Sequence, residues 1–407
     1  MIEPKKVFLR RFLQILFAAL FLLPTQVHAD AFDNWVRDFW PKARAAGVSA
    51  NTYNAAFAGV RPDPTILKSA SNQAEFVRPI WSYLDSAISK KRLSNGKQEL
   101  SRHRRTLDAI EAKYGVDRHI VVAVWGMESS YGQVLDNPKI VKSVIRSLAT
   151  LAYADKRRKK FGRNQLIAAL KILERGDIHP AGMTGSWAGA MGHTQFIPTT
   201  YQAYAVDFDG DGRRNIWTSI PDALGSTAAY LKKMGWQTGK TWGYEVRLPN
   251  NFNFEYASEK TQRTLADWQR LGVTRPNQRN FPRPSDKATL FMPSGANGPA
   301  FLLLKNFRVI KRYNNANAYA LAVGHLADRL RGGNTFTKAW PRDAKPLTRT
   351  ERKSLQTLLR SKGYYSGSVD GKIGPMSRAA IRKYQSSIGH IPDGYASTAI
   401  LGRLRGS

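Results

Sequence analysis

The sequence predicts a mainly α-helical chain of the α+β class, with a helical body, a small β-rich insertion and a separate helical unit at the C-terminus. Three observations carry this. From Phe32 to Tyr230 apolar residues recur every three or four positions, as in Thr106–Tyr114 and Leu166–Leu173, the period of an amphipathic helix. From Trp242 to Ile310 short alternating runs and clustered prolines replace that period. Beyond Pro341 and Pro346 a compact segment with helical periodicity runs to the end. A chain of 407 residues exceeds one ordinary core and implies two or three domains.

The first element is a targeting segment. Lys5, Lys6, Arg10 and Arg11 precede an apolar run from Phe12 to Leu23, broken at Pro24, and Val27-His28-Ala29 offers small residues to a signal peptidase. Cleavage is expected after Ala29, because the run is shorter than the roughly 20 residues of a spanning helix. An uncleaved anchor is the competing reading. Export to the periplasm follows, with signal peptide 1–29, main domain 30–336, linker 337–346 and C-terminal domain 347–407.

The chain has no cysteine, which excludes a lipidated N-terminal Cys, disulfides, thiol nucleophiles and Cys-based zinc sites. Its formal charge of +33 calls for a polyanionic partner. For an exported chain whose charge is spread out, the expected anions are a membrane surface or cell-wall carboxylates, and nucleic acid is not expected. Nothing demands more than a monomer.

Within the helical body, Asp117 is a candidate N-cap for the almost wholly apolar run Ile120 to Met127, which must be buried. Glu128 ends that helix. Lost solvation and the negative end of the helix dipole both disfavour its charged form, so both raise its pKa. A carboxyl protonated near neutral pH is what general-acid cleavage of a glycosidic bond requires. A solvated surface glutamate fits the spacing equally well. A second run, Gly185 to Pro198, is rich in small residues around Trp187, Gln195 and Phe196. Its backbone packs closely on a ligand, with Trp187 stacking on a sugar and Gln195 bonding an acetamido or hydroxyl group, or on another helix.

In the insertion, about 241–310, Tyr244 to Leu248 and Phe252 to Tyr256 alternate as strands do, around a helix from Thr261 to Leu271. A last helix, Ala316 to Arg331, ends at Gly332-Gly333-Asn334.

Asp207-Phe208-Asp209-Gly210-Asp211-Gly212-Arg213-Arg214-Asn215 follows EF-hand spacing: carboxylates at positions 1, 3 and 5, Gly at 6, a carbonyl donor at Arg213 and Asn215 at 9. Position 12, normally Glu, is Thr218. A weak structural calcium site and a metal-free Asp-Gly turn are the two readings, with Arg213 and Arg214 offsetting the negative charge. No cofactor is otherwise required. Gly235 to Thr241 is one residue too tight for a P-loop, and the histidines form no zinc motif.

Glu128-Ser129-Ser130-Tyr131-Gly132, followed by Gly189-Ala190-Met191-Gly192, Gln195-Phe196 and Pro198, resembles the lytic murein transglycosylase B family. The match continues through Asp207 to Gly212, Tyr230, and Arg312 to Ala320. The resemblance implies a lysozyme-like core, with Glu128 as catalytic acid and then base. Ser186 and Gln195 fall where the family contacts substrate and the catalytic glutamate, and Tyr230, Asn314 and Tyr319 on further cleft positions. His193 departs from the family's usual residue. The implied reaction is non-hydrolytic cleavage of the MurNAc–GlcNAc bond of peptidoglycan with a 1,6-anhydro product. Hydrolysis is the nearest rival, and a non-catalytic wall-binding or scaffold protein on the same fold the alternative.

The C-terminal unit opens with an amphipathic helix around Leu355 to Leu359. Tyr364-Tyr365, the Asp370-Gly371 turn and a second helix with Ile381 and Tyr384-Gln385 follow, and Leu401 and Leu404 close it. Residues 347 to 405 resemble a three-helix peptidoglycan-binding domain, which would raise the concentration of a tethered enzyme at an insoluble substrate.

Overall fold

The computed structural model describes residues 23–71, 78–257, 261–276 and 278–406, with the backbone alone described at 23–30 and 71. The expected leader lies for the greater part outside the described residues, and its cleavage point falls where only backbone is described. No helix among the described residues is long and apolar enough to cross a membrane. The chain is mostly helical, and divides into two compact units, residues 1–73 with 132–226 and residues 74–131 with 227–407.

In the first unit the helices Val144–Ala154 and Lys159–Glu174 pack on each other through Leu148, Leu151, Leu166 and Leu170, all fully buried. A Cβ at Gly162 would stand 2.6 Å from the Ala152 amide nitrogen, so only glycine lets the two backbones meet. The two-residue strands β1 (Lys142–Ser143) and β2 (Thr184–Gly185) pair antiparallel and bring the glycine-rich loop to the start of Val144–Ala154. There the Val144 amide donates to the Met183 carbonyl at 3.0 Å.

The second unit is built around Arg118–Ser129. Asp117 caps it by accepting from the His119 amide at 2.8 Å, and every residue from Ile120 to Gly126 is buried. Such a helix needs neighbours on all sides. The helices Asn317–Leu330, Lys90–Arg102 and Arg104–Tyr114 supply them.

The insertion forms a four-stranded antiparallel sheet. Its strands are β3 (Gly243–Val246), β4 (Arg263–Thr264), β5 (Lys287–Phe291) and β6 (Ala300–Leu303), in the order β3-β6-β5-β4. Tyr244 pairs with Leu302, which pairs in turn with Leu290, over a core of Trp268, Val273, Phe281 and Leu290. The expected strand at Phe252–Tyr256 is instead a 3-10 turn, Phe254–Tyr256. The Asn253 side chain caps it, accepting from the Glu255 amide at 2.9 Å. The expected helix at 261–271 is shorter, Leu265–Arg270, because Thr264 and Asp267 form a capping box that starts it later.

The stretch 337–346 lacks regular structure yet is tied down. The amides of Thr337 and Lys338 donate to Glu245, and Arg342 pairs with Asp85 at 2.6 Å. Beyond it lie the helices Arg349–Ser361, Pro375–Ser387 and Thr398–Arg405. One device holds their turns twice. Gln356 Oε1 accepts from the Gly371 amide at 2.7 Å while its Nε2 donates to Asp370. Gln385 Oε1 accepts from the Gly394 amide at 2.8 Å while its Nε2 donates to Asp393. Both glycines are left-handed, at φ 75° and 71°.

Candidate active site

Glu128 lies in the last turn of Arg118–Ser129 and is half-buried. Burial pushes its pKa up from 4.5 to about 7, against one opposing contact: the Tyr319 hydroxyl donates to Oε1 at 2.5 Å. No second carboxylate is among the interactions that shift it. Tyr319 is buried, and its own pKa is raised well above the phenolic value, by burial first and then by Glu128. It therefore stays a proton donor. Tyr83, on Ile80–Ala87, also feels the Glu128 charge, after its own burial.

The chain leaves this helix under constraint. Ser130 and Tyr131 take left-handed φ of 50° and 62°, unusual for non-glycine residues. Tyr131 holds the turn: its hydroxyl donates to the Arg92 carbonyl at 3.0 Å, and its ring meets Trp125 edge-on at 5.5 Å. The ring lies where a side chain at Gly126 would be, 2.6 Å from an added Cβ. Gly126 and Tyr131 together set where Glu128 stands.

Two further expected residues share this unit with Glu128. The Tyr230 hydroxyl donates to the Arg312 carbonyl at 2.5 Å and its ring meets Tyr313 edge-on, so it braces the helix Lys305–Tyr313. Asn314 follows that helix as its C-cap and is exposed.

Ser186, Trp187 and Gln195 belong to the first unit. The Ser186 hydroxyl accepts from the Ala188 and Ala190 amides, at 3.3 and 3.1 Å, which organises the loop. Trp187 packs against the cluster of Ile66, Ala70 and Leu151, with the Arg158 guanidinium 5.0 Å from its ring. Gln195 is left-handed at φ 52° and bonds the Gly192 carbonyl at 2.9 Å. His193 is buried against Gly132, where an added Cβ would stand 2.3 Å from the ring.

The acidic loop corrects the sequence reading. The expected EF-hand lacks its last carboxylate, but Asp222, in the first turn of Ile220–Lys233, turns its buried side chain into the loop. It accepts from the Phe208 amide at 2.6 Å and the Asn215 amide at 2.7 Å. Asp207, Asp209, Asp211 and Asp222 each bring an oxygen within 4.8 Å of the others, a hard, all-oxygen donor set suited to calcium. Arg214 does not offset that charge as expected. Its guanidinium turns to Asp177 at 2.8 Å. The Asn215 Oδ1 accepts from the Trp217 and Thr218 amides, as Asp207 accepts from those of Gly210 and Gly212, and so shapes the end of the loop. Among the described residues the Arg213 side chain has no hydrogen bond or ion pair, and its amide donates to Asp211 at 2.8 Å.

Residues 31–328 match the Transglycosylase SLT domain. The chain belongs to this transglycosylase family. Residues 348–404 of the transglycosylase match a putative peptidoglycan-binding domain. It is 32% identical over 249 residues to the membrane-bound lytic murein transglycosylase B of Escherichia coli strain K12, and spans 65% of that relative's length with 60% of its own. Among solved structures it is similar to SltB3 from Pseudomonas aeruginosa in complex with NAG-anhNAM-pentapeptide, at TM-score 0.87 and 49% identity, over 92% of this chain and 99% of that one. It is also similar to the E. coli lytic transglycosylase Slt35 in complex with calcium, at TM-score 0.60 and 28% identity, over 73% of this chain and 92% of that one. The fold of the transglycosylase is thus the lysozyme-like one expected, with its small sheets.

Sequence reading missed Tyr83 and Asp222. An acidic residue in the first turn of a helix was the available signal for Asp222. Tyr83 carried none, since nothing in its own helix distinguishes it from packing.

Proposed function

We propose that this transglycosylase cuts the β-1,4 bond between N-acetylmuramic acid and N-acetylglucosamine in peptidoglycan without water, leaving 1,6-anhydromuramyl ends. The observation that carries the reading is Glu128: one carboxyl, its pKa raised to about 7, with a tyrosine donor and, among the described residues, no carboxylate acting on it. Glycosidases that work through two carboxylates set them across the scissile bond. A single carboxyl suits a reaction in which the substrate supplies its own nucleophile.

The steps follow from that group. Tyr319 holds Oε1, so the acidic proton resides on Oε2 and is given to the leaving glycosidic oxygen. The substrate's N-acetyl group steadies the positive charge developing at C1. The new carboxylate, still bonded by Tyr319, takes the proton of the C6 hydroxyl as that oxygen closes on C1. Glu128 thus ends the cycle protonated. That the SltB3 relative was solved with NAG-anhNAM-pentapeptide is consistent with this product class.

The deciding experiment is mass spectrometry of muropeptides released from sacculi by the mature chain and by Glu128→Gln. Anhydromuramyl products from the first and none from the second are expected. Reducing-end products would make the enzyme a hydrolase.

We also propose that Asp207, Asp209, Asp211 and Asp222 hold a structural calcium ion, remote in role from the chemistry. Export to the periplasm, with the charge of +33 favouring the wall's anionic surface, completes the reading.

A further inference from the structure

Two cavities meet along the seam between the C-terminal module and the insertion, both within the second unit. One, about 270 Å³, is lined by Leu290, Met292, Gly374 and Arg382. Its neighbour, about 470 Å³, is lined by Arg78, Trp81, Asn317, Lys372 and Tyr395. Phe291, Ile373 and Arg378 line both, so the two form one groove with Arg378 at its waist.

Its charge is unbalanced. Asp393 is the only acid among the lining residues, and that carboxylate is occupied. Its Oδ1 accepts from Gln385 Nε2 at 2.7 Å and the Tyr395 amide at 2.9 Å, and its Oδ2 from the Ala296 amide of the insertion at 2.8 Å. The last of these bonds fixes the module against the sheet. Arg378 and Arg382 stand one turn apart on Pro375–Ser387 and are half-buried. Among the described residues neither guanidinium has a hydrogen bond or an ion pair. Burial, and then Arg378, push the Arg382 pKa down, while the nearby charges of Glu255 and Asp393 act the other way. Arg352 is held elsewhere, by the Gly371 and Leu347 carbonyls at 2.6 Å.

Glu255 and Asp393 offset the charge of Arg382 from a distance without bonding it, so both guanidiniums keep their donors for a ligand, and a planar guanidinium fits a carboxylate with two parallel bonds. Beside these charges Trp81, Phe291 and Ile373 give the groove apolar wall, and Arg78 and Lys372 add further cations. The groove reaches Asn317, two residues before the Tyr319 that bonds Glu128. A glycan stripped of its stem peptides keeps only the lactyl carboxylates held close to its sugars, whereas a stem peptide carries carboxylates further out together with short alkyl side chains.

We propose that this groove is an arm of the substrate site that grips the carboxylates of the peptidoglycan stem peptide through Arg378 and Arg382. The proposal rests on the cleavage reading above.

The test compares glycan strands bearing stem peptides with strands stripped of them. For the Arg378→Gln/Arg382→Gln chain, KM on peptide-bearing strands rises about tenfold with kcat within about twofold, and stripped strands are cut as by the wild type. The Arg378→Lys/Arg382→Lys chain recovers part of the loss. Amidating the stem carboxylates reproduces the rise with the unaltered enzyme, so the test survives a variant that folds poorly. Equal losses on both substrates, or amidated peptide bound as well as free, would overturn the proposal. So would inhibition by inorganic phosphate that depends on Arg378 while amidation changes nothing, since the groove would then serve a phosphate anion. A wild type that cuts neither substrate would instead sink the cleavage reading. Calorimetric binding of a soluble stem-peptide fragment, free and amidated, then still decides the groove.

Discussion

The Tyr319 hydroxyl donates to Oε1 of Glu128 at 2.5 Å, joining two helices whose residues stand 191 positions apart in the chain. The bond orients the carboxyl and favours its charged form, while burial favours the neutral one and prevails. Glu128 therefore carries its proton below about pH 7 and loses it above.

Activity should accordingly fall as pH rises through about 7. Tyr319→Phe removes the one contact that lowers the Glu128 pKa, so that alkaline limb moves to higher pH. Loss of orientation lowers kcat, by on the order of tenfold. A pH–rate profile of both chains on soluble glycan strands decides this. A limb that stays put would mean Tyr319 does not tune the acid.

The same shift links pH to stability. Between 4.5 and about 7 the folded chain holds a proton that the unfolded chain has released. The stabilisation is fully present below the unfolded pKa and is lost as pH rises through the folded one. Glu128→Gln cannot ionise and escapes that loss. Its stability relative to the wild type should grow by up to about 3 kcal/mol between acid and pH above 8. Urea melts at the two extremes measure it, and a difference that shrinks with pH contradicts the assignment.

Gly126→Ala places a methyl 2.6 Å from the Tyr131 ring, which is held by the Arg92 carbonyl and Trp125 and cannot yield freely. The expected cost is about 1–3 kcal/mol, together with a fall in kcat as Glu128 shifts. Thermal melting and single-turnover rates read the two effects. An alanine variant with unchanged rate would show that this packing does not position the acid.

Calcium should raise the melting temperature, a chelator should lower it, and Asp209→Asn should abolish the response. Asp209 is the cleaner choice, because it receives one long amide bond, from Asp211 at 3.3 Å, and the Ser219 hydroxyl, whereas Asp222 receives the Phe208, Asp209 and Asn215 amides and its loss would disturb the turn in any case. Because the loop lies away from Glu128 in sequence and role, kcat at saturating substrate should change little on chelation. Melting unaffected by calcium would leave an Asp-Gly turn that needs no metal.

Much of this was legible in the residues. The buried run from Ile120 to Gly126 announced a central helix, because so apolar a segment has no other home, and Glu128 stood at its end. Asp117 read as a cap and is one. The alternation at Tyr244 to Val246 became β3, whereas the same pattern at Phe252 to Tyr256 became a turn, because Asn253 offers its side chain to the backbone there. Trp187 read as a platform for a sugar and Tyr230 as a cleft residue. Trp187 packs on Ile66 and Ala70, and the Tyr230 hydroxyl is bonded to a carbonyl.

The sequence by itself determined what depends on near neighbours: helix periods, caps, turn glycines and the position of Glu128 on its helix. Its charge and lack of cysteine came with composition. Only the tertiary structure decided which groups face one another across long stretches of chain. Tyr319 on Glu128, Asp222 in the acidic loop, and the seam that sets Arg378 and Arg382 side by side are all of this kind. Each is a contact between distant positions, and proton affinity and ligand charge respond to distance and burial, which local spacing does not encode.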